Sequence, residues 1–174
     1  MLFKKSVNLG VVLSLLMTVV LFALSYLLNT SLYVNLTIFN ATPLFFLPLI
    51  TAICIFSSFW SGVAAGLVAG ILLDTVSNDV VCFNSAVFLI IAVAVWLLAN
   101  NLFNKNIGAA LTLSLIASLF YKMLWWLVNY FPFLSLSESL TLLLEYAVPS
   151  AVYSALFIIP FFFVYRWINK IKTN

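Results

Sequence analysis

An apolar run must reach about 20 residues to cross a hydrocarbon core of about 30 Å as a helix. Apolar runs broken by brief polar stretches fill this chain, and that rule predicts spans at roughly 7–28, 43–60, 62–77, 83–103, 107–130 and 142–168. The predicted fold class is an all-α integral membrane protein, a six-helix bundle in one polytopic domain over residues 1–174. The second and third runs are short, and Pro43 and Pro48 interrupt the second, which leaves open a tilted pair of helices or a partly re-entrant hairpin. Pro149 and Pro160 predict kinks in the last run.

Composition agrees with the pattern. Hydrophobic residues make up 66% of the chain and charged residues 6%, against about 25% charged in soluble domains. Lys4 and Lys5 precede the first run as in a signal peptide, but the run is longer than a signal core of roughly 7–15 residues, so a retained helix is expected. With six spans both termini fall on one side, together with Lys4, Lys5, Lys105, Arg166, Lys170 and Lys172. The opposite loops carry only Asp79 and Glu138. Basic residues mark the cytoplasmic face, so both termini are expected there. The net charge of +3 then reflects topology, and with no basic cluster beyond two adjacent residues nucleic acid is not an expected partner.

One stretch carries more than hydropathy. Gly62, Gly66 and Gly70 recur every four residues, Ala65 and Ala69 flank them, and Asp74 follows. A face without side-chain bulk lets two backbones approach closely, so this stripe is expected to pack on a partner or on a neighbouring helix. An Asp in mid-membrane costs about 3 kcal/mol on an insertion scale and is tolerated facing protein or water. Asp74 and Ser77 close one helix and Asn84 opens the next, where they are expected to bond across the turn. Lys122 and Glu145 fall at a similar depth in the outer half. Two readings stand for these charges: Lys122 pairs with one or both acids, or it snorkels to the interface while Glu145 sits among the headgroups.

Catalytic chemistry is poorly provided for. Histidine is absent and the cysteines, Cys54 and Cys82, stand far apart and are expected to be free thiols, whereas structural zinc needs about four N/S ligands. No serine sits in a nucleophile elbow, Asp79 falls in a loop so that Asp74 has no second intramembrane Asp to form a dyad, and the glycine spacing is not that of a phosphate-binding loop. The expectation is no enzyme, no cofactor and no metal.

The segment Gly66-Leu-Val-Ala-Gly-Ile-Leu-Leu-Asp74-Thr-Val-Ser77, followed by Asn84-Ser-Ala86, resembles the bacterial rod shape-determining family MreD. That family shows a glycine-rich helix ending in leucines and Asp, then Ser, a short loop with Gly, and His or Asn at the next helix start. Asp74, Ser77, Asn84 and Ala86 match position by position. Cys82 stands where the family usually has Gly, and Asp79-Val80 replace a typical Ser-Pro, which bears on the turn of that loop. The resemblance implies a non-catalytic, multi-pass component of the bacterial cytoplasmic (inner) membrane that binds the periplasmic scaffold MreC. Through it the chain would connect a cytoskeletal filament to the synthases of lateral peptidoglycan. It also implies a fold similar to the substrate-binding subunits of energy-coupling-factor vitamin transporters, which are the rival reading. Only that rival calls for a small-molecule ligand, in an outward pocket for which Trp125, Trp126 and Tyr146 are lining candidates. Against it, the first span lacks the Ala-xxx-Ala stripe with which such subunits dock on their transmembrane partner.

Overall fold

At the centre of the bundle lies α2 (Phe46–Phe56), an apolar helix in which Phe46 through Ile55 are all buried. The computed structural model describes residues 9–30, 41–76, 82–101, 106–133 and 136–173. Its other elements are α1 (Leu9–Thr30), α3 (Phe59–Asp74), α4 (Phe83–Asn101), α5 (Ile107–Asn129), α6 (Leu136–Leu142), a π-helical turn (Leu143–Ala147), α7 (Val148–Leu156) and α8 (Ile158–Thr173), and all of them except α6 and the π-helical turn pack against α2. No strand occurs among the described residues. Among the described residues, four helical runs are long and apolar enough to cross a membrane: Gly10–Thr30, Phe83–Asn101, Ile107–Asn129 and Ser137–Lys170. The chain is an all-α membrane protein.

The two remaining apolar helices are short. With 11 residues α2 is about 16 Å long, and with 16 residues α3 is about 24 Å, both below a hydrocarbon thickness of about 30 Å. Pro48 sits in the first turn of α2, where no intrahelical amide bond is lost. Ser57 and Ser58 are extended and separate α2 from α3. The helix boundaries thus differ from the expected runs 43–60 and 62–77, because hydropathy reads through a two-residue break whose serines are small.

The last run is one continuous helical path whose regular turns are interrupted before each of its two prolines. The missing amide of Pro149 and the clash of its ring with the carbonyl four residues back exclude a regular turn there. The chain answers with the π turn, in which the Val148 amide donates to Leu143. Upstream of Pro160, the Phe157 amide donates to the Ser154 carbonyl at 3.2 Å, a tighter turn that separates α7 from α8.

Two apolar clusters fill the interior. One joins Phe46, Leu47 and Ile50 to Phe88, Ile91 and Tyr121; the other joins Leu49 and Ile53 to Leu113, Ile158, Phe162 and Tyr165. Helix α1 lies at the periphery, with Leu15, Leu16, Val19, Val20 and Leu27 more than half exposed. In a membrane such a face meets lipid chains at no hydrophobic cost.

Candidate functional site

The glycine stripe builds a seam between α3 and α4. Gly62, Ala65, Gly66, Ala69 and Gly70 are all buried, and their neighbours belong to this chain. A Cβ on Gly66 would stand 2.7 Å from the Ala92 Cβ and 2.8 Å from the Phe88 carbonyl oxygen. On Gly70 it would stand 2.8 Å from the Asn84 carbonyl oxygen and closer still to the Ser85 Cα. On Gly62 it would meet the Cys54 Sγ of α2 at 2.9 Å. Of the two faces the stripe was expected to serve, the structure gives it to neighbouring helices, so it is not open to a separate partner.

Asp74 ends this seam. Its Oδ1 accepts the Asn84 amide and its Oδ2 the Ser85 amide, each at 3.0 Å, and the Ser85 hydroxyl also donates to Oδ2. The first amides of a helix have no intrahelical acceptor and carry the positive end of its dipole. The carboxylate therefore caps α4 from the end of α3. Asn84 is fully buried and its Oδ1 accepts the Tyr121 hydroxyl at 2.7 Å, which ties α5 to the same junction. Cys82, just before α4, has φ of 61°, the left-handed region that favours glycine. Its carbonyl accepts the Ala86 amide at 3.1 Å. The position where the resemblance expects Gly thus has a glycine-like backbone. Ser77 and Asp79 lie outside the described residues. Both cysteines are free thiols, Cys54 buried and Cys82 exposed.

Lys122, one residue beyond Tyr121, belongs to a different place. It lines a cavity of about 280 Å³ with Trp125, Trp126 and Tyr130 of α5. The facing wall comes from Leu142, from Tyr146 and Ala147 of the π turn, and from Ser150 of α7, and Thr42 closes one side. The walls are anchored. Trp126 donates its indole N–H to the Ser139 carbonyl at 2.6 Å, which holds α6 onto α5. The Ser150 hydroxyl donates to the Thr42 carbonyl at 2.5 Å, and the Leu44 amide donates to the Ser154 Oγ at 2.8 Å, which fixes the entry to α2 against α7. Among the described residues Lys122 forms no hydrogen bond or ion pair. Asp74 is occupied at the seam, and Glu145 is exposed and does not line the cavity. The five residues expected as one polar cluster are therefore distributed: Asp74 and Asn84 at the seam, Lys122 in the cavity, Glu145 on the surface, Ser77 undescribed.

Sequence reasoning reached Trp125, Trp126 and Tyr146 as cavity residues but not Thr42, Ser150 or the anchoring Ser154. The signal for the serines was their spacing, four apart just after Pro149, which puts two small polar groups on one helix face. No family model, curated protein or solved structure matches the chain.

Proposed function

We propose that the chain is a non-catalytic scaffold of the bacterial cytoplasmic membrane, of the MreD kind. It binds an MreC-like periplasmic partner and links a cytoskeletal filament to lateral peptidoglycan synthesis. The observation that carries this reading is the Asp74 junction: Asp74 and Asn84, which bear the resemblance, meet ten positions apart in one hydrogen-bonded cap. A motif whose residues build a turn together is a structural signature rather than a chance run of leucines and glycines. The turn has a glycine-like backbone at Cys82, where the resemblance has Gly.

The topology that accompanies the proposal has both termini in the cytoplasm. Whether α2 and α3 cross fully or form a hairpin, together they return the chain to the side from which it came. The basic side of Arg166 and Lys170 is the same in both cases. A six-crossing chain fits if the bilayer thins by a few ångströms around the short pair.

The test is a pull-down of the tagged protein in mild detergent, with co-purifying proteins and small molecules identified by mass spectrometry. Recovery of a single-span periplasmic coiled-coil protein with wall synthases is the expected result. A stoichiometric vitamin with ATPase subunits would overturn it and favour the second reading, the binding subunit of a vitamin transporter. One observation speaks for that reading: the cavity beside Lys122, lined by Trp125, Trp126, Tyr130 and Tyr146 together with Thr42 and Ser150.

A further inference from the structure

We infer that the cavity between α5 and α7 is a binding site for a single anionic group, a carboxylate or phosphate, carried on a flat or apolar body, with Lys122 as its counter-charge. This goes beyond the scaffold reading, which needs no ligand, and for the vitamin reading it names the charge of a ligand at the same cavity.

An ammonium drawn away from water is costly unless a counter-charge or hydrogen-bond acceptors answer it. A lysine on the outer face of a bundle solves this by snorkelling, its stem in lipid and its amine in the headgroups. Lys122 is half-buried in a cavity wall instead, about 10 Å before the end of α5 at Asn129, and among the described residues it has no acceptor. No described acid faces it: Asp74 is held by the amides of α4, Glu145 is exposed, and Glu138 is exposed on α6.

The remaining surfaces define the rest of the ligand. Trp125, Trp126 and Tyr146 offer flat aromatic surface, the Ser150 hydroxyl is bonded to the Thr42 carbonyl, and among the described lining residues Lys122 is the one that carries a charge. The cavity, about 280 Å³ and half-open, lies at the small end of ligand pockets of about 300–1,000 Å³, which suits a headgroup or a single substituted ring. The same chemistry has two sources: the phosphate of an anionic membrane lipid whose chains stay outside, or a free aromatic carboxylate.

The experiment titrates the full chain in detergent with dihexanoyl-phosphatidylglycerol, with phenylacetate, and with zwitterionic dihexanoyl-phosphatidylcholine, reading tryptophan fluorescence. Trp125 and Trp126 line the site and report on it. A saturable response to at least one anionic probe, absent with the zwitterionic one, is expected. Response to the glycerol lipid alone assigns a lipid headgroup, and to phenylacetate alone a free carboxylate. Lys122→Met should raise Kd about tenfold or more, as a charge-assisted contact is lost, while Lys122→Arg stays within about threefold. In the unmodified chain, a saturating anionic probe should also slow amine-reactive labelling of Lys122, a readout independent of whether any variant folds. No saturable response to either anion, an unchanged Kd in Lys122→Met, or an unchanged labelling rate would overturn the assignment. The pull-down for the scaffold reading is unaffected by any of these results, so the two fail separately.

Discussion

The α3–α4 seam and the α5–α7 cavity are one residue apart along α5, at Tyr121 and Lys122, yet they use polar side chains in opposite ways. At the seam the carboxylate of Asp74 takes two amides and a hydroxyl from the start of α4, and glycines bring the backbones into contact with no space left. In the cavity an ammonium is left without an acceptor among the described residues, inside a void with anchored walls. A polar group that its own chain satisfies is a structural part, and one left unanswered in the wall of a half-open cavity has capacity for something else. Depth and charge do not separate the two cases; partners do.

Substitutions at the two places should therefore differ in kind. The largest effect is expected at the seam. Gly70→Ala forces a methyl into the backbone of Asn84 and Ser85 and should cost about 3 kcal/mol. Gly108→Ala, where a Cβ meets nothing within 4 Å, should be neutral or gain up to about 1 kcal/mol. Chemical or thermal unfolding in detergent, followed by circular dichroism, checks the contrast. Next, Asp74→Asn replaces a charged cap by a neutral one with a weaker acceptor and should cost about 2 kcal/mol. Lys122→Met removes a charge no described residue satisfies, so stability should stay level or rise. Because the two residues share no contact, the double variant should lose the sum of the single losses to within about 0.5 kcal/mol. Strong non-additivity would restore the ion pair that the sequence left open. The smallest effect is a gain: Cys82→Gly relieves a left-handed backbone and should stabilise the chain by about 1 kcal/mol.

The sequence made the long spans plain, since the runs behind α1, α4 and α5 are continuous and exceed the bilayer rule. It did not show that α2 is the centre of the bundle. In a membrane the lipid-facing and core-facing surfaces are both apolar, so α1, which is mostly exposed, and α2, which is almost wholly buried, read alike. The Asp74 junction was legible because its members flank one short loop. The relation of Lys122 to Asp74 and Glu145 was not, because hydropathy fixes depth along the normal and says nothing of position around the bundle axis. Thr42 and Ser150 meet across more than a hundred residues, a pairing that only the folded arrangement of α2 and α7 creates.

The most direct test measures stability and anion binding on the same preparations of Asp74→Asn and Lys122→Met. The account requires the two readouts to separate. Asp74→Asn should lower Tm while its folded fraction binds the anionic probe with unchanged Kd, and Lys122→Met should keep Tm while Kd rises about tenfold or more. A Lys122→Met protein that melts as early as Asp74→Asn, or that binds as tightly as the parent, would contradict the division of labour between seam and cavity.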